Sequence, residues 1–286
     1  MRESSVQCVS AGGLHRMAYY EWGDPANDRV LVCVHGLTRC GRDFDFLAQA
    51  MSDKYRVVCP DVVGRGMSDW LKIKKLYGPP QYVADMVTLL ARVNARTVHW
   101  IGTSMGGLIG MVLASLENTP ISRLVLNDFG PVMTLQSMQR ICEYVGKAPR
   151  FDSYAQAEAM VRFLAATFGK LTDAQWRHLT ENVVRTAADG KIEFRYDPGI
   201  ASGMHLALEQ ANGKDIESWP LYDAITCPTL LLRGAQSDLL LAATAAQMAT
   251  RGPRARCVEF PEVGHAPALL DPAQITPIRE FLLEAG

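Results

Sequence analysis

Short runs of consecutive apolar residues recur along the chain and alternate with longer segments whose apolar positions return at helical spacing. Consecutive apolar residues indicate strands buried on both faces, because a strand with one exposed face would alternate apolar with polar residues. The pattern predicts strands at Met17–Trp22, Val30–Val34, Arg56–Cys59, Val98–Ile101, Leu124–Leu126, Thr229–Arg233 and Arg256–Phe260. Strands that alternate with helices predict an α/β fold with a mostly parallel, doubly wound sheet.

The helical patterns between these strands predict helices at Phe44–Met51, Tyr82–Arg92, Met105–Leu116, Ala242–Thr250 and Pro272–Leu283. The alternation stops between about residues 131 and 220, where helical patterns follow one another without a buried type of strand. These patterns lie at Leu135–Val145, Tyr154–Phe168 and Asp173–Ala187. We therefore predict a core domain made of residues 1–130 and 221–286, with a helical insertion at residues 131–220.

Composition and charge narrow the function classes. The 29 Lys and Arg residues face 30 Asp and Glu residues, so the chain has no positive surplus to neutralise nucleic-acid phosphates. The seven cysteines are scattered without metal-ligand spacing, which indicates reduced thiols in the cytoplasm and no metal site. No apolar run has the length of a signal peptide or a membrane span, so we expect neither a leader nor a membrane partner.

The strongest chemical signal is a Gly-x-Ser-x-Gly motif, Gly102 to Gly106, which stands between a predicted strand and a predicted helix. A sharp turn in this context raises the serine hydroxyl above the sheet, so Ser104 is the expected nucleophile. The following N–H, of Met105, faces the place where negative charge develops when the nucleophile attacks a carbonyl. The backbone of Leu37, in the His35-Gly36-Leu37 loop, is the expected second donor of this oxyanion hole. We expect the His35 side chain to be buried and hydrogen-bonded to backbone groups, with substrate binding as the alternative.

A general base and an acid are required to activate such a serine. His265 lies in a Gly-His loop after the last predicted strand and is the expected base. Asp238, in the loop after Thr229–Arg233, is the expected acid, which orients the imidazole. Asp128 also follows a strand directly and is the alternative acid.

These motifs, together with the segment Asp61 to Asp69 (sequence DVVGRGMSD), resemble the α/β-hydrolase superfamily from about Leu14 to Phe281. The resemblance implies that the helical insertion is a cap, or lid, which covers the active site and shapes the acyl pocket. Haloalkane dehalogenases and epoxide hydrolases use an aspartate nucleophile, so Ser104 argues against both. Carbon–carbon bond hydrolases commonly have a tryptophan after the catalytic histidine, where this chain has Ala266. Proline iminopeptidases usually have a tryptophan directly after the catalytic serine, where this chain has Met105. The resemblance therefore favours neither of these two classes.

The predicted function is hydrolysis of a small carboxylic ester, lactone or thioester through an acyl-enzyme, without a metal or organic cofactor. Arg39 and Arg42 lie beside the predicted oxyanion loop, and either of them is a candidate to bind a substrate carboxylate. The partner is a small-molecule substrate, and we expect a monomer or homodimer. A carbon–carbon bond hydrolase and a non-catalytic ligand receptor on the same fold remain the alternatives.

Overall fold

The structure is a computed structural model that describes residues 1–284. Its centre is an eight-stranded sheet in the order β1-β2-β4-β3-β5-β6-β12-β13. The pairs from β4 through β3, β5, β6 and β12 to β13 are parallel, whereas β1/β2 and β2/β4 are antiparallel. The strands are β1 Arg2–Ser10, β2 Gly13–Trp22, β3 Val30–Val34, β4 Arg56–Pro60, β5 Val98–Thr103, β6 Ile121–Asn127, β12 Thr229–Gly234 and β13 Arg256–Phe260.

The predicted strands all form, and the predicted mostly parallel α/β sheet is confirmed. The first strand, β1, escaped prediction because it lies at the sheet edge. Its nine residues alternate exposed polar and buried positions, with Val6 and Cys8 buried, rather than forming an apolar run. An edge strand with one solvated face lacks the signal that identifies the central strands.

Helices cover both faces of the sheet, and most of the predicted helices form with small shifts at their ends. The prediction Asp173–Ala187 is wrong beyond Val183, because Val184–Thr186 form a short strand, and Tyr154–Phe168 is divided into an α-helix and a 3₁₀ helix. The helices are α1 Asp45–Met51, α2 Pro79–Val93, α3 Met105–Ala114, α4 Leu135–Tyr144, α5 Tyr154–Leu164, α6 Asp173–Val183, α7 Ala201–Ala211, α8 Trp219–Asp223, α9 Ala242–Met248 and α10 Pro272–Leu283. Short 3₁₀ helices lie at Gly41–Phe44, Lys74–Leu76, Ala166–Phe168 and Pro198–Ile200.

The segment between β6 and β12 adds no strand to the main sheet. Besides helices α4 to α8 it contains two small sheets, one of three strands and one of two. Their strands are β7 Val132–Met133, β8 Arg150–Phe151, β9 Val184–Thr186, β10 Ile192–Phe194 and β11 Ile216–Glu217. We call residues 131–220 the cap segment. Its helix α7 was not predicted, because it contains Gly203, a weak helix former. A Cβ at Gly203 would lie 2.0 Å from the carbonyl oxygen of Tyr77, which explains the glycine.

Within residues 1–284, the structure contains no helix that combines the length and the apolar character needed to cross a bilayer. All seven cysteines are free thiols, and four of them are buried.

His99 of β5 gives the fold a specific sensitivity to acid. Its Nδ1 lies 2.8 Å from the hydroxyl of Tyr55, which itself donates to the carbonyl of Leu282. Burial, with the nearby charges of Arg123 and Arg29, lowers the pKa of His99 from 6.5 to about 4. In the unfolded chain this imidazole takes up a proton near its ordinary pKa, so stability is present above pH 6.5 and is lost as the pH falls toward 4.

We therefore predict that His99→Gln lowers the free energy of unfolding at pH 7 but flattens its decline between pH 7 and 4.5, by about 1–2 kcal/mol relative to the wild type. Urea titrations across this pH range measure the difference. His205→Gln is the control, because His205 is exposed on α7. Parallel stability curves for wild type and His99→Gln would contradict the prediction.

Candidate active site

Ser104 lies at a tight turn between β5 and α3, with backbone angles φ 51° and ψ −112°. Such angles are strained for a residue with a side chain and are typical of a nucleophile at a strand-to-helix turn. The turn closes only because its flanking residues are glycines. A Cβ at Gly102 would lie 2.1 Å from the Gly106 carbonyl oxygen, and a Cβ at Gly106 would lie 1.9 Å from that of Val34 in β3.

His265 lies beside this serine, as the sequence predicts. Its Nε2 is 2.9 Å from Ser104 Oγ. The loop that carries it is held by the cap segment, since Thr167 accepts the N–H of Gly264 and its hydroxyl donates to the carbonyl of His265. The imidazole remains about a fifth exposed, so it has access to the cavity in front of the serine.

The acid that the sequence favoured, Asp238, is wrong as the partner of His265. Its side chain is about half exposed and forms an ion pair with Arg140 of the cap segment, 2.6 Å away. The alternative, Asp128, is fully buried at the end of β6, and its Oδ2 lies 2.6 Å from His265 Nδ1. The hydroxyl of Ser237 donates to the same carboxylate, and the N–H of Gly234 donates to its other oxygen.

The order serine, aspartate, histidine along the chain does not separate the two acids, because both lie between Ser104 and His265. The loop after β12 still reaches this place, but it presents Ser237 and not Asp238. The sequence prediction chose Asp238, one residue after Ser237, whose hydroxyl contacts the Asp128 carboxylate. The sequence signal for Ser237 is its position directly before Asp238 in this loop. The two adjacent side chains point to different partners, Ser237 to Asp128 and Asp238 to Arg140.

Leu37 and Met105, the expected oxyanion donors, line the same cavity as Ser104. Within residues 1–284, no backbone or side-chain acceptor takes the N–H of Leu37 or of Met105, so both are free for a ligand. His35 is fully buried, and both of its nitrogens bind backbone: Nδ1 lies 2.7 Å from the Gly36 carbonyl, and Nε2 accepts the N–H of Val62. Burial lowers the pKa of His35 to about 3, which keeps it neutral. Its expected structural role agrees with these contacts, whereas the alternative of side-chain substrate binding does not.

The two candidate arginines differ in position. Arg39 lines the cavity above Ser104 and donates through Nε and Nη2 to both oxygens of Asp43, at 2.7 Å each. No acceptor among residues 1–284 is found for its Nη1. Arg42 is paired with Asp45 instead and lies outside the cavity lining, so the structure does not support it as the candidate for the substrate carboxylate.

The cavity has a volume of about 220 Å³ and lies between the sheet and the cap segment. Its walls are mostly apolar, and Arg39 is the one arginine or lysine among the described residues that line it. The cap segment contributes many of the wall residues, among them Met133, Ile141, Tyr144, Leu164, Phe168 and Met204.

One group of side chains could hold a metal ion, and it lies away from the serine. Cys8, His15 and Asp85 are buried where β1 and β2 pack on α2, with their ligand atoms within 4.8 Å of one another. His15 Nε2 is 3.0 Å from Asp85, which also accepts the amide of Gln81. Asp85 therefore has hydrogen-bond partners without an ion, and the group ties the first hairpin to the helix.

Comparisons with known proteins identify the family of this chain. The model of the alpha/beta hydrolase family matches residues 31–277. The chain belongs to this family. This α/β hydrolase is 49% identical to a 3-hydroxybutyrate-oligomer hydrolase of Cupriavidus necator over 98% of its own length and 97% of that protein. The predicted class of enzyme, an α/β-hydrolase-fold ester hydrolase, is confirmed.

Solved structures extend the likeness. An alpha/beta hydrolase from Novosphingobium aromaticivorans is 34% identical, with a TM-score of 0.84 over 98% of both chains. E-2-(acetamidomethylene)succinate hydrolase has a TM-score of 0.83 over 98% of this chain and 99% of its own, at 20% identity, which shows the shared fold.

We predict that Asp128→Asn lowers kcat by about 10³- to 10⁴-fold, because the amide cannot hold the His265 tautomer that accepts a proton from Ser104. Hydrolysis of p-nitrophenyl butyrate measures the loss. Asp238→Asn is the matched control and should stay within about threefold of the wild type, since removing an exposed ion pair changes little. A large loss in Asp238→Asn with a small one in Asp128→Asn would reverse the assignment.

Proposed function

We propose that this enzyme hydrolyses short oligomers of 3-hydroxybutyrate by acyl transfer through Ser104. The observation that carries the acyl-transfer part is the unbroken hydrogen-bonded chain from Asp128 through His265 to Ser104. Because the Asp128 carboxylate accepts a hydrogen bond from Nδ1–H of His265, the imidazole keeps its proton on Nδ1, and the unprotonated Nε2 faces the serine hydroxyl and is able to accept its proton.

The reaction follows from this arrangement. Ser104 Oγ attacks the ester carbonyl carbon while its proton passes to His265 Nε2, and the N–H groups of Leu37 and Met105 bind the oxyanion. The carbon–oxygen bond to the leaving alcohol then breaks, and His265 gives that alcohol its proton. A water molecule, deprotonated by the same imidazole, then attacks the acyl carbon. The bond from that carbon to Ser104 Oγ breaks, His265 returns the proton to Oγ, and the acid is released.

The cavity supports a substrate that is apolar along its length and anionic at one end. An oligomer of 3-hydroxybutyrate has a methyl group on every unit and a free carboxylate at one terminus. The apolar walls suit the methyl groups, and Arg39 Nη1 is the donor suited to the carboxylate. The likeness to the Cupriavidus necator hydrolase over nearly the full length of both proteins supports this choice of substrate.

Ser104→Ala should abolish hydrolysis of the 3-hydroxybutyrate dimer, measured by the release of the monomer, because the variant has no nucleophile. The background of residual activity should be at least about 10³-fold lower than the wild-type rate. Wild-type protein that binds the dimer but does not cleave it would favour the ligand-receptor alternative. Cleavage of a vinylogous 1,5-diketone, with none of the dimer, would favour the carbon–carbon bond hydrolase.

Arg39→Gln should raise KM for the dimer by about 10- to 100-fold with little change in kcat, because a hydrogen bond to a charged group contributes about 1.5–3 kcal/mol. The methyl ester of the dimer is the matched substrate, since it lacks the terminal charge and should show no such increase. Arg42→Gln is the control variant. An equal increase in KM for the dimer and for its methyl ester in Arg39→Gln would show that the arginine supports the loop and does not bind the carboxylate.

A further inference from the structure

Arg65, in the Gly64-Arg65-Gly66 turn after β4, has surroundings that a turn residue does not need. Its side chain is fully buried, yet within residues 1–284 no carboxylate forms a salt bridge with it. A buried guanidinium without a counter-ion is unfavourable, because the interior replaces neither its hydration nor a negative partner completely. The Gly-Arg-Gly sequence indicates a turn but not the burial of its arginine side chain.

The guanidinium is instead satisfied by neutral acceptors. Nη1 donates to the carbonyl of Val63 at 2.7 Å and to the hydroxyl of Tyr82 at 3.0 Å. The rings of Tyr77 and Tyr82 lie 5.7 and 4.9 Å from its central carbon, within the range of a cation–π interaction. These contacts spread the charge without neutralising it.

The remaining two contacts reach the residues that carry the free N–H groups beside Ser104. Nε donates to the carbonyl of Leu37 at 2.8 Å, and Nη2 lies 3.6 Å from the sulfur of Met105. One side chain thus touches both halves of the candidate oxyanion hole, which come from different loops.

The turn itself is anchored on its other side by the cap segment. The N–H of Gly66 donates to the carbonyl of Arg195 at 2.9 Å, and the N–H of Asp197 donates to the carbonyl of Gly64 at 2.8 Å. Between them, Arg65 and Tyr196 form an isolated antiparallel bridge. The backbone of Arg65 is therefore held by the cap segment, while its side chain contacts Leu37 and Met105.

We infer that Arg65 is a positioning residue for acyl transfer: it holds the Leu37 loop and Met105 in register as an oxyanion hole and leaves an unneutralised positive charge behind it. This inference rests on the proposed function of Ser104. A fixed cation and fixed donors in a water-poor site stabilise the transition-state anion more than the neutral ester, since the anion alone carries the charge. The effect belongs in kcat and not in KM.

Three variants separate positioning and charge from plain stability. Arg65→Gln removes the charge, Arg65→Lys keeps it without the planar fork, and Arg123→Met removes a partly buried arginine on β6 that donates to the carbonyl of Phe281. Each is assayed with p-nitrophenyl butyrate, which does not depend on the 3-hydroxybutyrate proposal. Each is also titrated with butylboronic acid, which forms a tetrahedral anionic adduct with a serine nucleophile, and its folded fraction is measured by thermal unfolding.

We expect Arg65→Gln to lower kcat by about 100-fold, with KM within about threefold, and Arg65→Lys to lower kcat by only about 5- to 10-fold. Affinity for butylboronic acid should fall by the same factors as kcat. Arg123→Met should lower the unfolding temperature without changing either quantity. If Arg65→Gln does not fold, Arg65→Lys decides: a parallel loss in kcat and boronate affinity supports the inference, and wild-type values of both overturn it.

Two further outcomes are distinguishable. Equal kcat and boronate affinity in folded Arg65→Gln and wild type, or a loss that only follows the folded fraction, overturns the role of Arg65 and leaves the role of Ser104 intact. Wild-type hydrolysis that is unaffected by Ser104→Ala overturns the proposed function, and this inference with it.

Discussion

The close contact between the start of α3 and the end of β3 is the constraint on which the rest of the site depends. Gly106 lies so near the carbonyl of Val34 that no side chain fits between them. Because the helix starts this close to the sheet, Ser104 is forced into its strained backbone conformation and its hydroxyl points away from the strands. The N–H of Met105, at the first position of α3, is left without an intrahelical partner by the same geometry. The conformation of Ser104 and the unpaired N–H of Met105 thus both follow from one packing requirement.

The residues that meet the serine come from distant parts of the chain, and the parallel sheet is what gathers them. Strands β3, β5 and β6 are neighbours, so the segments at their carboxyl ends, which contain Leu37, Ser104 and Asp128, lie at the same edge. His265 arrives from beyond β13, two strands further along, on a longer loop that the cap segment holds through Thr167. The loop that carries His265 therefore has a support from the cap segment in addition to the sheet.

The sequence was sufficient to predict the central strands and the meeting of Ser104, His265 and the Leu37 loop at one site, because each depends on local features. Apolar runs mark buried strands, and the spacing of Gly102, Ser104 and Gly106 is required by a turn that only glycines permit. The acid could not be predicted in the same way. Asp128 and Asp238 both follow strands, and which carboxylate reaches the imidazole depends on the direction of side chains in two adjacent loops. The sequence does not single out Arg65 for a similar reason, since the burial of its side chain is a property of the packed molecule and not of its turn.

Ser237 has a consequence for how this fold tolerates change. Its hydroxyl donates to the Asp128 carboxylate and accepts the N–H groups of Leu239 and Leu240, whereas the side chain of the neighbouring Asp238 pairs with Arg140 of the cap segment. That pair is solvent-exposed, so salt screens it and its loss has a small energetic effect. Substitution of Asp238 therefore changes a contact between the cap segment and the core, but it leaves the hydrogen-bonded chain from Asp128 through His265 to Ser104 in place.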